Sequence, residues 1–394
     1  MDQNTIQAPE TLSSESSIKP FSFTGKGSEY FSIWIVNVCL TILTLGIYSA
    51  WAKVRTQQYF YGNTWLDNIS FQYLANPNQI LKGRIIAFSA FAAYYAAAMF
   101  SPIAALIILL AIMMLAPALL VLTMAFICRN SAYRNVSFNF QKDFKQAYKL
   151  MAIPLLIFGA FFASLALLMP EASTINPETP PDIKQQLIPL LSLLIFMLVF
   201  PWFEYVVTRF RVKNAQYGDT AFDFFARAGN YYKIYLFAFP ILMLIVIGII
   251  IVYGLIAGLS GALNHIPTED TSGSVSAFSF VPLLFLPVYL WFFAYIQTKR
   301  TNLLFNNITV GDHKLRSELK TGDMLKLYIT NTMAILLSLG LLMPWAKIRT
   351  AQYRASKTSL EASGNIDDFA AVQRSKQSAI GEEVGEIFDL GLGV

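Results

Sequence analysis

The run IIAFSAFAAYYAAAMFSPIAALIILLAIMMLAPALLVLTMAFIC, from Ile85 to Cys128, contains no Asp, Glu, Lys or Arg. About 20 mainly apolar residues suffice to cross a bilayer. Ser101-Pro102 interrupts the run near its middle, and proline both resists helix continuation and disfavours helix in the residue before it. The stretch therefore reads as two spanning helices, roughly 85–100 and 103–127, joined by a tight turn. Working outward, further uncharged runs predict spans near 150–169, 187–207, 234–259 and 276–297. Only 13% of the 394 residues are charged, against roughly 25% in a soluble domain. The expected fold is an all-α polytopic membrane protein with about six spanning helices.

Composition removes several kinds of chemistry. Cys39 and Cys128 both lie in apolar surroundings, so neither a disulfide framework nor a CxxC site is available. His265 and His313 are far apart and form no metal-ligand pair, and no phosphate-binding GxxxxGK[ST] loop occurs. No metal, cofactor or catalytic motif is expected. Residues 1–19 are polar and Ser-rich and lack the apolar core of a signal peptide; they read as a disordered cytoplasmic tail. Residues 20–358 read as one transmembrane domain, and 359–394 as a mobile C-terminal tail.

The connections fall into two populations. Segments 51–86, 128–150, 204–233 and 297–326 carry 20 basic residues against 8 acidic ones. The opposite connections, near 101–102, 169–187 and 260–275, carry Lys184 against Glu171, Glu178, Asp182, Glu269 and Asp270. Lys and Arg are retained on the cytoplasmic side during insertion, so the basic segments are expected to face the cytoplasm. This bias explains the basic residues without nucleic acid, since they come in isolated pairs rather than a stripe.

Those four basic segments align with one another. With Phe71, Phe138, Phe222 and Leu315 in register, Asn63, Asn130, Asn214 and Asn307 stand eight residues earlier, and Lys82, Lys149, Lys233 and Lys326 eleven later. Three residues before the register position stand Asn68, Asn135, Asp219 and Asp312. Asp67-Asn68, Gly218-Asp219 and Gly311-Asp312 tolerate the positive φ that two-residue hairpin turns require; Arg134-Asn135 is a weaker turn. The spacing predicts four short cytoplasmic β-hairpins, in units near 58–82, 127–149, 209–233 and 300–326. Each leads through an interfacial stretch to a lysine that can bury its stem and keep its charge at the headgroups. Lone hairpins are marginal in water, so association into a shared sheet or ring is expected, against the alternative that each lies on the bilayer surface. A fifth, partial copy begins at Phe21.

The two ends match as well. Asn37-x7-Leu45-Gly46-x4-Trp51-Ala-Lys53-Val-Arg55-Thr-x-Gln58-Tyr59 repeats, 294 residues on, as Asn331-x7-Leu339-Gly340-x4-Trp345-Ala-Lys347-Ile-Arg349-Thr-x-Gln352-Tyr353. Each apolar segment, near 30–50 and 324–345, starts beside a cytoplasmic unit and ends in a basic stretch. Re-entrance is the expectation: a half-helix enters, breaks near Gly46 or Gly340, and returns as a short extended stretch. The competing reading is an ordinary span that places one terminus outside.

EYFSIWIVN (29–37), LTLGIYSAWAKVRTQQYFYGNT (43–64) and LKGR (81–84) resemble the bacterial YjgN-like family. GDHKLRSELK (311–320), PWAKIRTAQY (344–353) and LEASGNIDDF (360–369) do so too. The resemblance covers about residues 20–370. It implies an inner-membrane protein and brings no established activity, substrate or catalytic residue.

Candidate positions follow from cost. Polar side chains inside a bilayer are unfavourable unless paired, and they line pathways or bridge helices. Asn37, Thr41 and Thr44 share one face of the first terminal segment, and Asn331 and Ser338 repeat part of it. Glu204 is the acid inside a predicted span; it is either a pathway group or a partner of Arg209 or Arg211. Trp51, Lys53, Arg55, Trp345, Lys347 and Arg349 form paired aromatic-basic clusters suited to anionic lipid headgroups or to plain interfacial anchoring. The leading expectation is a channel or carrier with a pathway near the terminal segments. The alternative is a non-catalytic membrane organiser that binds anionic lipid or a cytoplasmic partner through its hairpins.

Overall fold

The computed structural model describes residues 16–168, 183–263 and 285–389. Ten strands close into one antiparallel barrel, in the spatial order β1-β10-β9-β8-β7-β6-β5-β4-β3-β2. They are β1 (Ser16–Phe23), β2 (Thr64–Leu66), β3 (Ile69–Tyr73), β4 (Ser131–Tyr133), β5 (Val136–Phe140), β6 (Ala215–Tyr217), β7 (Thr220–Phe224), β8 (Ile308–Val310), β9 (His313–Ser317) and β10 (Thr358–Ser363). The all-α expectation is thus overturned. Most of these strands are three to five residues long, too short to bury anything alone. Closure satisfies every edge, which no isolated hairpin can do.

Two of the strands lie where tails were expected. Residues 16–19 belong to β1, which pairs with β10 from Ser16↔Ser363 to Pro20↔Ser359. Residues 358–389 form β10 and a helix (Ile366–Asp389) rather than a mobile tail. The physical reason is pairing: β1 and β10 are the fifth pair that the other four hairpins need to close the ring.

The register position marks the barrel lumen. The directly opposed pairs Phe21↔Leu66, Phe71↔Tyr133, Phe138↔Tyr217, Phe222↔Val310 and Leu315↔Leu360 put one inward side chain on each strand. All ten line a single apolar cavity of ≈ 270 Å³. Eight strands already leave an interior just wide enough for side chains to fill; ten need larger ones, and stacked aromatics supply them. Phe71 and Tyr133 stack at 4.7 Å, and Phe138 lies 5.2 Å from Tyr217 and 6.2 Å from Phe222.

Eleven helices accompany the strands among the described residues. They are α1 (Gly27–Leu43), α2 (Ser49–Gly62), α3 (Pro77–Phe100), α4 (Pro102–Arg129), α5 (Phe144–Leu168), α6 (Ile183–Lys213), α7 (Ala228–Leu263), α8 (Leu286–Phe305), α9 (Thr321–Leu337), α10 (Met343–Ser356) and α11 (Ile366–Asp389). α1 to α10 each pack on their chain neighbours, and α1 packs on α10, closing a helical ring on one side of the barrel. Pro77–Phe100, Ile103–Arg129, Leu193–Lys213 and Ala228–Ile245 are long and apolar enough to cross a bilayer. The spans expected at 150–169 and 276–297 run partly into residues outside those described, as do most of the acidic connections. No separate interfacial helix follows the first hairpin: α3 is continuous from Pro77, with Asn76 capping it through the Asn78 amide at 3.0 Å.

The asparagine column forms the joints between ring and barrel. Asn63, Asn130, Asn214 and Asn307 stand at or just beyond a helix C-terminus, where carbonyls lack partners. Each donates from Nδ2 to the carbonyl four residues back, on Tyr59, Phe126, Phe210 and Leu303, at 2.7–2.8 Å. Each main-chain carbonyl then accepts an amide from the adjacent unit: Thr24, Leu74, Gln141 and Phe225 respectively. The fifth joint, Glu318 N–H to Lys357 carbonyl at 2.9 Å, has lysine in the asparagine's place. The lysines of the repeat, Lys82, Lys149, Lys233 and Lys326, stand in the early turns of α3, α5, α7 and α9.

Asp67, Asn68, Arg134 and Asn135 adopt positive φ, as do Gly218 and Gly311, so the hairpin tips take the two-residue turns expected. The weak turn is compensated. Arg134 (side chain 3% exposed) donates to Asp67 Oδ2 at 2.6 Å and to Tyr133 Oη at 3.1 Å, and it pairs with Asp367 of α11. α11 covers the tips: Gln373 accepts from Asp219 N–H at 3.0 Å, Gln377 donates to the Ser137 carbonyl at 3.0 Å, and Phe369 stacks on Tyr217 at 5.8 Å. The helix thus plugs the barrel mouth that faces away from the ring.

Candidate functional site

Each terminal segment is a helical hairpin. α1 turns at Leu45 (φ +48°) and Gly46 (φ +92°) into α2; α9 turns at Leu339 (φ +51°) and Gly340 (φ +92°) into α10. The return leg is helical in both cases and not the extended stretch expected, because Ser49–Gly62 and Met343–Ser356 have no residue that breaks a helix between the first turn and the last. Both hairpins begin and end at the barrel. Their tips are apolar and open: Leu45 and Leu339 are each 95% exposed.

Thr44 and Ser338 build these turns. The Thr44 hydroxyl donates to the Leu40 carbonyl at 2.7 Å and accepts from Tyr48 N–H at 2.9 Å; Ser338 does the same with Ile335 and Leu342. Thr41 donates to the Asn37 carbonyl at 2.6 Å. Asn331 is buried, donates to the Ala346 carbonyl (3.2 Å) and Thr350 Oγ1 (3.3 Å), and accepts from Arg349 at 3.0 Å. It therefore ties α9 to α10. Asn37, 5% exposed, reaches the Ala52 carbonyl at 3.5 Å, but its Oδ1 is buried without a partner. The matching tyrosines latch the hairpin bases: Tyr59 Oη accepts from Lys26 N–H at 2.8 Å, and Tyr353 Oη from Lys320 N–H at 3.1 Å.

The structure brings part of the two candidate sets together. Asn37 and Thr41 share a groove of ≈ 340 Å³ with Lys53 of α2 and Lys347 of α10, along with Thr56 and Gln57. Trp51, Arg55, Trp345 and Arg349 do not line it. Arg55 donates to Tyr48 Oη at 3.1 Å, and Trp51 stacks on Tyr48. Arg349 lies 4.4 Å over the Trp345 ring, which packs beside Gly27. Trp51, Arg55 and Arg349 pack within their own hairpins, and Trp345 also joins one hairpin to the other.

Glu204 of α6 lies elsewhere. It pairs with Arg300 of α8 and accepts from Tyr235 Oη of α7, so it cross-links three helices. The partner is neither of the near neighbours considered from the sequence: Arg209 donates to Tyr205 Oη at 3.3 Å, and Arg211 reaches Met124 Sδ at 3.2 Å. Sequence reasoning missed Arg300 because the same position of the repeat holds the uncharged Thr56, Thr123 and Val207 in the other three copies. It also missed Arg134, whose side chain finds Asp67 only when the first two hairpins pair and Asp367 only when α11 docks.

At the barrel, the electrostatics follow burial. Burial holds the His313 imidazole below its usual pKa, partly opposed by the nearby Asp312 carboxylate; His313 Nδ1 accepts from Ser363 N–H at 3.2 Å. Burial also raises the Tyr133 and Tyr217 phenols. Tyr133 donates to the Leu66 carbonyl at 2.8 Å and Tyr217 to the Tyr133 carbonyl at 3.0 Å, so both serve as neutral donors. No group of three or more His, Cys, Asp or Glu that could hold a metal ion occurs among the described residues.

Known proteins include relatives of part of this chain. A protein of Salmonella typhimurium named "Inner membrane protein YjgN" is 44% identical over 66 residues, 17% of this chain and 17% of its own length. Its namesake in Escherichia coli is 47% identical over 53 residues, 14% of this chain and 13% of its own. The matches thus span less than a fifth of either relative. No solved structure matches. The apolar helices and these relatives make the chain an integral membrane protein. Its residues 18–387 match the family described as bacterial protein of unknown function, DUF898, and the chain belongs to that family.

Proposed function

We propose that this inner-membrane protein is a non-catalytic organiser that binds an anionic lipid headgroup between its two terminal hairpins. The observation that carries the reading is the groove where Lys53 and Lys347, from opposite ends of the chain, stand beside the donor-bearing side chains of Thr41, Thr56 and Gln57. Neither lysine has a carboxylate partner among the described residues. Two ammonium groups at headgroup depth attract an anionic lipid at roughly 1 kcal/mol each. Re-entrance of both hairpins from the cytoplasmic side fits the same picture. α1 rises about 25 Å at 1.5 Å per residue, short of a core about 30 Å thick, and its exposed leucine tip suits hydrocarbon. The excess of basic residues beside the barrel supports a cytoplasmic barrel.

The channel or carrier reading required Asn37 and Asn331 to line a pathway. Their bonds to the Ala52 and Ala346 carbonyls and the aromatic filling of the barrel favour binding over flux. The test is lipid analysis of protein purified gently from its membrane. Wild type should retain anionic over zwitterionic lipid, and Lys53→Glu with Lys347→Glu should lose that preference while keeping its melting temperature in lipid-free detergent. Equal retention of both lipid classes by wild type, or solute flux in reconstituted vesicles that Asn37→Leu with Asn331→Leu abolishes, would overturn the proposal.

A further inference from the structure

A second polar cavity, of ≈ 500 Å³, lies between the barrel and the helical ring. Its floor is Phe138, Phe222 and Leu315, which also line the lumen cavity; its walls come from α4, α6, α7 and α8. Glu204, Arg211 and Arg300 face it. A neighbouring cavity of ≈ 360 Å³ shares Thr301 of α8 and adds Arg354 of α10. Two guanidinium groups therefore face one carboxylate, with a third in the adjoining cavity, and that carboxylate is already held by Arg300 and Tyr235.

The excess is not compensated by protein. The acceptor that Arg211 reaches is the Met124 thioether, a weak one. Arg354 Nε is buried without a hydrogen-bond partner. Arg211 and Arg300 keep exposed side chains at the barrel ends of α6 and α8, where an anion can reach them, and the burial of Arg354 Nε makes its unmet donor costly. Guanidinium donors match phosphate oxygens in a planar, two-point geometry that ammonium groups lack.

We infer that this chamber binds a phosphate-bearing anion. Arg211 and Arg300 are the direct donors, Arg354 adds positive potential from the adjoining cavity, and Glu204 with Tyr235 positions Arg300. The aromatic floor keeps the ligand on the membrane side of the barrel. The chamber is separate from the groove at Lys53 and Lys347, and neither proposal depends on the other.

The experiment is titration of delipidated, detergent-purified full-length protein with inorganic phosphate in one arm and dihexanoyl phosphatidylglycerol in the other. Binding is read by calorimetry, with dihexanoyl phosphatidylcholine plus chloride as the background. Saturable binding in either arm is expected, the arm identifying a free anion or a lipid headgroup as the source. Arg211→Gln should weaken it at least tenfold with an unchanged melting temperature, and Arg354→Gln several-fold. The Lys53→Glu, Lys347→Glu pair should leave the phosphate arm unaltered, and in that background, where the groove no longer contributes, both arginine effects should persist in the phosphatidylglycerol arm. No saturable binding above background in either arm of the Lys53→Glu, Lys347→Glu protein, or binding there that survives both arginine substitutions in folded protein, would overturn the inference.

Discussion

Arg134→Gly sets two physical effects against each other at a single hairpin tip. Glycine suits the position, since Gly218 and Gly311 occupy it in the third and fourth hairpins, and removing a side chain from φ +50° relieves about 1 kcal/mol of strain. The substitution also deletes a buried cation. Removing one partner of a buried ion pair costs about 3–5 kcal/mol. Asp67 keeps Lys19 at 2.8 Å, however, and Asp367 is 67% exposed, so solvent screening discounts the loss to about 2–3 kcal/mol. The net is a destabilisation of about 1–2 kcal/mol, or a few degrees in melting temperature. Circular dichroism of the detergent-solubilised protein measures it, and trypsin cleavage at Arg374 reports loosening of α11. Asn135→Gly is the control, with the same turn and no ion pair, and it should be neutral or slightly stabilising. Arg134→Gly melting at or above wild type, with α11 still protected, would refute the claim that the ion pair outweighs the turn.

Other consequences are as direct. Asn130→Ala should cost about 1 kcal/mol, the net worth of its bond to the Phe126 carbonyl, whereas Lys357→Asn should be neutral or stabilising in a melting experiment, because it restores the residue used at the other four joints. Gly218→Ala and Gly311→Ala each meet strain of about 1 kcal/mol at positive φ. Only the first brings a Cβ to 2.7 Å from Gln373, so limited proteolysis should show α11 released in Gly218→Ala alone. The folded pKa of His313 lies below its unfolded value of about 6.5, so the unfolded chain takes up the proton first. Stability should be flat above about pH 7.5 and fall as pH drops through about 6.5 towards the folded value. His313→Leu should flatten that slope in melting curves taken across the range.

Much of the ring and its joints can be read from residue order. The uncharged stretch from Ile85 to Cys128 and the Ser101-Pro102 turn mark α3 and α4 because bilayer thickness sets a length that composition reveals. Asn63, Asn130, Asn214 and Asn307 recur because every helix-to-strand joint faces the same orphan carbonyls. The paired terminal motifs likewise foretell two equivalent hairpins turning at Gly46 and Gly340. The candidate sites were less legible. Thr44, Ser338 and Asn331 are polar for turn-building and helix-bridging, which a face-by-face reading of one segment cannot separate from lining a pathway.

What the chain determines alone is therefore local: span lengths, turn residues, the spacing of the joints and the asymmetry of charge, all set by neighbours within a few residues. Tertiary structure decided whatever needs distant segments. β1 and β10 form no hairpin with each other, being far apart in the chain; each pairs with a neighbouring hairpin on one side, and their pairing on the other closes the barrel. Arg300 finds Glu204 and Asp367 finds Arg134 because charge pairing acts through space, and Lys53 meets Lys347 because α1 packs on α10; a sequence records only what is adjacent along it.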